Sequence, residues 1–149
     1  MSKLIKCIRV LVILTSISLT QQVNAERKAS QSADSATDYQ KQILYYINQY
    51  RVKHHLSALK MSNVISTEAA KHSRDMANKA MPFGHTGYNG RIKRLYAKFT
   101  QCRGGAENVA YYKLNAKKLV DAWIGSPGHR QNIMGNYNLT GIGIAYSKK

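Results

Sequence analysis

The stretch Ala122–Met134, AWIGSPGHRQNIM, ends one predicted helix and immediately begins another. Gly125 is a typical helix end, Ser126 is a preferred N-cap, and Pro127 suits the first helical position because its missing N–H is not needed there. His129 is therefore predicted to be the third residue of a new helix, near the positive end of the helix dipole. That potential disfavours the imidazolium, so we expect a neutral His129 that can bind a metal or accept a proton.

The rest of the chain carries signals for four more helices and two strands. The helices are predicted over about 38–53, with Asp38 as N-cap, over 62–79, over 90–99, and over 116–124 with Asn115 as N-cap. The strands are predicted over 107–112 and 139–147. On the short basic helix, Arg91 and Arg94 are interpreted as part of a solvated face.

The first 25 residues have the pattern of a secretory signal peptide. Lys3, Lys6 and Arg9 form a basic start, Val10–Leu19 is apolar, and Val23–Ala25 ends in a small-residue cleavage site. The apolar run is too short for a typical membrane anchor, so no transmembrane anchor is predicted for the mature form. We predict a secreted or periplasmic protein.

The mature chain is predicted to hold a flexible segment over 26–37 and one domain over 38–149. Its only cysteine is Cys102, which is interpreted as buried or chemically idle. Its 20 Lys and Arg against 7 Asp and Glu give a net charge of +13. This charge favours an anionic partner, but no specific nucleic-acid motif accompanies it. The oligomeric state is not predicted.

Three side chains, those of His85, Glu107 and His129, lack an ordinary structural explanation. Glu68 suits a helix start and a surface pair with His72, whereas Glu107 enters a predicted strand and must pair with something or face a cavity. His85 lies in a turn, and His85, Glu107 and His129 follow one another at intervals of 22 residues. Two histidines and a carboxylate are a common set for zinc or another divalent metal. Separate hydrogen-bonding roles for the three remain the alternative.

Four ordered motifs resemble the bacterial branch of the CAP superfamily, whose domain is also called SCP. They are GHTG at 84–87, GGAENVAY at 104–111, AWIGSPGHRQNIM at 122–134 and TGIGIAY at 140–146. The resemblance covers about residues 39–146 and implies a secreted α+β protein, an α-β-α sandwich with a central cleft. It also implies that His85, Glu107 and His129 meet in that cleft, where they are the candidate metal ligands. Asn108, Ser126 and Arg130 are expected to support the cleft, and Arg130 either binds an anion or pairs with Asp121 or solvent.

This sequence departs from the family pattern at two places. Many eukaryotic members have a second glutamate three residues after the tryptophan, where this chain has Ser126, so one acidic metal ligand is absent. The chain ends at Lys149, soon after the Gly-Ile-Gly-Ile stretch, where members usually continue into a further strand. The sheet is therefore expected to be small and truncated, with an exposed edge.

Two functions remain open at this stage. One is a secreted, non-catalytic module that binds an envelope, lipid or protein partner in its cleft or on its basic surface. The other is a metal-dependent hydrolase that uses the cleft of His85, Glu107 and His129. A variant with Ser126 as nucleophile and His129 as base is disfavoured, because an N-cap serine is expected to spend its oxygen on backbone N–H groups. No residue is assigned a catalytic role.

Overall fold

The computed structural model describes residues 18–99, 101–102, 104–111 and 114–147. Its elements in chain order are α1 (Ser18–Lys53), β1 (Lys60–Met61), α2 (Asn63–Ala77), α3 (Tyr88–Tyr96), α4 (Ala116–Gly125), α5 (Pro127–Met134) and β2 (Leu139–Thr140). The chain divides into two compact units, Met1–Asp34 and Ser35–Lys149. In the first unit, the described part is the beginning of α1. Among the described helices, none is both long and apolar enough to cross a membrane.

Helix α1 does not begin at Asp38, so the prediction of this residue as its N-cap is wrong. The helix continues through Asp38 because the stretch from Ser18 to Lys53 contains no glycine or proline. The alanine, glutamine, lysine and arginine residues before Asp38 are also good helix formers. The predicted signal peptide (1–25) and flexible segment (26–37) stay predictions, and residues 1–17 lie outside the described part of the chain.

The core of the second unit is formed mainly by α1, α4 and α5. The apolar faces of α1 and α4 are buried against each other. Burying each large aliphatic side chain stabilises the fold by about 1.5–3 kcal/mol. The buried apolar residues are Ile43, Ile47, Leu59, Ala116, Leu119, Val120 and Ile133.

A buried arginine near the end of α1 connects this helix to the end of α5. Arg51 is 1% exposed. Its guanidinium donates to the carbonyl oxygens of Ile133 (2.6 Å), Gly135 (2.9 Å) and Tyr137 (3.0 Å), and its Nε to that of Ser57 (2.9 Å). These oxygens include carbonyls at the C-terminal end of α5, where the helix dipole favours a cation. Arg51 thereby fixes the helix that carries His129.

The sheet is smaller than the predicted strands suggest. It contains β1 and β2 in parallel, with Lys60 opposite Leu139 and Met61 opposite Thr140. Residues 141–147 and 107–111 are not in strands, so the prediction of strands over these stretches is wrong; Tyr112 lies outside the described residues. The α+β class with a small sheet is confirmed.

The stretch after β2 lies against α2 and bonds to side chains instead of a neighbouring strand. Ser66 Oγ accepts from the N–H of Ile142 at 3.3 Å, and Ser73 donates to the carbonyl of Gly143 at 3.1 Å. A Cβ added at Gly141 or Gly143 would overlap the backbone of α2. The two glycines therefore permit a backbone-to-backbone approach that no larger residue allows.

The other helices agree with the sequence predictions to within a few residues. Ser62 caps α2 by accepting from the N–H of Ile65, and Asn115 caps α4 by accepting from the N–H of Lys118. Helix α5 begins at Pro127, as predicted. Cys102 is exposed, so the buried alternative of its interpretation is wrong, and the chemically idle alternative stays a prediction.

Candidate functional site

A glycine-containing loop between α2 and α3 carries His85. Gly84 and Gly87 have φ angles of 131° and 78°, in the region that favours glycine because a Cβ is strained there. His72 on α2 anchors this loop, because its Nε2–H donates to the Gly84 carbonyl at 2.8 Å. His72 is only 4% exposed, so the interpretation of a surface pair with Glu68 is wrong.

Glu107 lies in the loop before α4 and receives three side-chain hydrogen bonds. Arg91 on α3 donates from Nε to Oε2 at 2.8 Å and from a terminal nitrogen to Oε1 at 2.7 Å. His85 donates from Nδ1 to Oε1 at 2.9 Å. A two-pronged arginine contact of this kind is among the stronger ion pairs in proteins. The carboxylate is therefore held in one orientation by residues of two other segments.

The surroundings of Glu107 favour its ionised form. Burial raises the pKa of this carboxyl, but the hydrogen bonds from Arg91 and His85 outweigh burial, and the net pKa is lowered. The Nε2 atom of His72 also lies near this carboxylate, 3.9 Å from Oε1. Glu107 is therefore an anion at neutral pH.

The sequence-based interpretation of Arg91 as part of a solvated face is wrong. The residue is 6% exposed, and its third contact is a 2.7 Å hydrogen bond to the Thr86 carbonyl. The sequence did hold a signal for its burial. Arg91 follows Tyr88 by three residues and precedes Leu95 by four, which places all three on one face of a helix.

Helix α5 places His129 as its third residue, which confirms the prediction from Ser126 and Pro127. Ser126 makes no side-chain cap hydrogen bond to α5. Its Oγ instead lies 2.9 Å from His129 Nδ1, so the expectation that this oxygen is spent on backbone N–H groups is wrong. The described partner of the His129 ring is therefore a hydroxyl and not a carboxylate.

Two asparagines join the Glu107 loop to α5. Asn108 donates from Nδ2 to the His129 carbonyl at 3.1 Å. Asn132 donates to the Glu107 carbonyl at 3.1 Å and to Asn108 Oδ1 at 2.8 Å. Arg130 donates to the Ile124 carbonyl at 3.0 Å, near the end of α4. The loop and helix are thus connected through backbone groups.

The three predicted metal ligands lie in one region, but their side chains do not all contact one another. His85 touches Glu107, whereas the His129 ring turns to Ser126. In the described residues, no group of three His, Cys, Asp or Glu side chains is arranged to hold a metal. Since Arg91 holds both oxygens of Glu107, this carboxylate does not fit a metal ligand in the described arrangement. Zinc binding stays a prediction.

The second unit carries more basic than acidic side chains. Each of its acidic side chains has a Lys or Arg partner; the pairs are Asp38–Lys41, Glu68–Arg94, Asp75–Lys71, Glu107–Arg91 and Asp121–Lys117. The positive charge that remains comes from Lys and Arg in excess of these pairs. Such a surface attracts anionic partners without specifying them.

Comparison with known proteins identifies relatives of this chain. The profile of the Cysteine-rich secretory protein family (CAP) matches residues 44–149. The chain is 31% identical over 114 residues to "Uncharacterized protein YkwD" of Bacillus subtilis strain 168, covering 75% of this chain and 44% of that protein. It is 31% identical over 115 residues to "Uncharacterized membrane protein YlbC" of the same strain, covering 76% and 33%. The chain thus spans less than half of either relative. No solved structure matches it.

Proposed function

This chain belongs to the Cysteine-rich secretory protein (CAP) family, and on that premise we propose that it is an exported, non-catalytic binding module. Its partner is a component of the cell envelope, which it takes at the cleft around Glu107. The single observation that carries the proposal is the pair of hydrogen bonds by which Arg91 holds both oxygens of Glu107.

This ion pair argues for binding and against turnover. A general base needs a pKa near the working pH and a free oxygen for the proton it removes. Glu107 has a lowered pKa, and its oxygens accept from Arg91 and His85. A carboxylate held in this way is a fixed hydrogen-bonding surface and a poor proton acceptor.

The alternative with a serine nucleophile lacks its third member. In a triad the base accepts from the serine and is itself oriented by a carboxylate. Here the Ser126 hydroxyl contacts Nδ1 of His129, and Glu107 pairs with His85 and Arg91 instead of with His129. The geometry therefore supports a structural role for the Ser126–His129 contact.

Export is supported by the sequence of residues 1–25 and by the positive charge, which suits the anionic polymers and headgroups of an envelope. The test of export is fractionation of cells that produce the full chain, followed by mass measurement of the recovered protein. We expect an exported form beginning at Glu26. An uncleaved chain kept in the cytoplasm would contradict the proposal.

Binding is tested by sedimenting the exported protein with insoluble wall material, with lipid vesicles, and with extracted envelope proteins on beads. We expect one fraction to retain it and to be recovered with unchanged mass. The double variant Arg91→Met/Glu107→Leu, which removes the ion pair but keeps side-chain volume, should lose binding. The matched control is Lys117→Ala/Asp121→Ala, an exposed pair on α4. Retention by no fraction, or a chemically altered partner, would contradict the proposal.

A further inference from the structure

Two exposed aromatic rings contact each other beside the Glu107 site. The ring centroids of Phe83 and Tyr111 are 5.9 Å apart and their planes are inclined at 66°. Phe83 is 55% exposed and Tyr111 is 70% exposed. Phe83 lies two residues before His85, and Tyr111 lies four residues after Glu107. The two loops that carry His85 and Glu107 therefore also carry the two rings.

Packing of the described core does not explain these rings. Neither ring belongs to the buried apolar cluster or to the residues packed against it. A large aromatic side chain left in water forgoes a contribution that burial would supply. An exposed aromatic contact at the edge of a cleft is the pattern of a surface that covers its rings when a partner binds.

A buried polar atom in the same place also lacks a partner. The Nδ1 atom of His72 is buried and, among the described residues, has no hydrogen-bond partner. Since Nε2 donates to the Gly84 carbonyl, Nδ1 is the ring nitrogen that remains for a further hydrogen bond. His72, Phe83, Glu107 and Tyr111 line one cavity of about 1770 Å³. A ligand hydroxyl in this cavity, which can donate or accept, would give Nδ1 of His72 a hydrogen-bond partner.

We propose that this cavity binds a carbohydrate chain, with a sugar ring packed against Phe83 and Tyr111. A pyranose ring combines an apolar face of C–H groups with a ring of hydroxyls, and the site combines two aromatic rings with fixed polar groups. Glu107 is the fixed carboxylate in this cavity, and His72 supplies the unpartnered ring nitrogen. The inference rests on the proposed function and names the class of envelope component.

A carbohydrate fits these observations better than a protein surface. A stable protein interface buries about 800 Å² on each partner around an apolar centre, whereas the apolar part of this site is a pair of rings next to an ion pair. A sugar ring has the size of one aromatic contact and carries hydroxyls at its edge. The site therefore matches a unit of a glycan chain.

The test measures binding of the exported protein to an insoluble polymer of β-1,4-linked N-acetylglucosamine. The variant Phe83→Ala/Tyr111→Ala is expected to weaken binding by about tenfold or more, as loss of two aromatic contacts implies. The matched control Tyr45→Ala removes another exposed ring, on α1, and should change affinity less than about twofold. Circular dichroism and melting temperature establish that each variant is folded.

Two further measurements distinguish binding at this site from binding at other surfaces of the protein. Raising the salt concentration to 1 M should leave polymer binding in place, because ring stacking is not screened, whereas binding through the basic surface would be lost. Vesicles of anionic lipid should not compete. The inference is overturned if the polymer is not bound, if the double variant binds it equally, or if vesicles or a protein fraction compete. Retention of the chain by another envelope fraction would leave the proposed function standing, whereas retention by none would overturn both.

Discussion

Arg51 and Arg91 are both buried arginines, but their partners differ. Arg51 bonds to four backbone carbonyls, three of them at or beyond the end of α5, and has no carboxylate partner among the described residues. Arg91 bonds to both oxygens of Glu107 and to one carbonyl. Burial lowers the pKa of Arg51, but its ordinary value is so high that it stays charged. The comparison separates an arginine that holds the fold together from one that fixes a functional carboxylate.

The largest expected effect is on stability at Arg51. Arg51→Leu leaves four carbonyls without their donor, so we expect a loss of about 3–5 kcal/mol in the free energy of unfolding. Urea denaturation measures the loss. The control Lys53→Ala, an exposed neighbour, should change stability by less than about 0.5 kcal/mol. A small loss at Arg51 would show that water replaces the guanidinium and would remove its distinction from a surface residue.

The next effect concerns the pair of Arg91 and Glu107. Arg91→Met alone leaves a partly buried carboxylate unpaired and should cost about 3 kcal/mol of stability. Arg91→Met/Glu107→Leu should recover most of this loss, because it removes both charges. A double-mutant cycle over the two sites measures their coupling.

The exposed pair Lys117–Asp121 is the control for that cycle, with an expected coupling below about 1 kcal/mol. Equal couplings for the two pairs would mean that Arg91 does not fix Glu107. At Arg51, by contrast, no second substitution can restore stability, because its partners are backbone carbonyls.

A smaller effect is the pH dependence that Glu107 contributes. Its folded pKa lies below the ordinary value of 4.5. Its stabilising contribution is therefore complete above the unfolded pKa and is lost as the pH falls through the folded pKa. The stability difference between the wild type and Glu107→Gln should shrink as the pH falls from 7 towards 3.

The difference between the wild type and Arg51→Leu should stay constant over the same range, because the carbonyl partners of Arg51 do not titrate. The folded pKa of Glu68 is also lowered, chiefly by its hydrogen bond with Arg94, so both chains lose this contribution equally. A Glu107 contribution that does not decline at all between pH 7 and pH 3 would contradict the ionised pair.

The smallest expected effect concerns zinc. If Glu107 is a metal ligand, zinc and Arg91 compete for the same oxygens, so Arg91→Met should bind zinc about tenfold more tightly than the wild type. Calorimetric titration measures this, and His85→Ala/His129→Ala should lose the binding. Equal affinities for the wild type and Arg91→Met would remove Glu107 from the ligand set and support separate roles for the three residues.

Signals that act within one turn of the chain predicted the helices correctly. Ser62, Asn115 and Pro127 mark the beginnings of α2, α4 and α5 because capping involves only the next few residues. Asp38 does not begin a helix, since a capping residue does so only where the chain before it is not already helical. The predicted strand over 141–147 does not form, because its backbone bonds to serines of α2 some 70 residues earlier.

By itself, the sequence determined the family, the positions of α2 to α5, the excess of positive charge, and the identity of His85, Glu107 and His129 as unusual side chains. Only the tertiary structure decided that Arg91 takes the carboxylate, that His72 is buried beneath the loop, and that His129 turns to Ser126. The physical reason is range. Propensity and capping depend on neighbours within a turn, whereas the partner of a buried charge is chosen among groups from distant segments by desolvation and hydrogen-bond geometry.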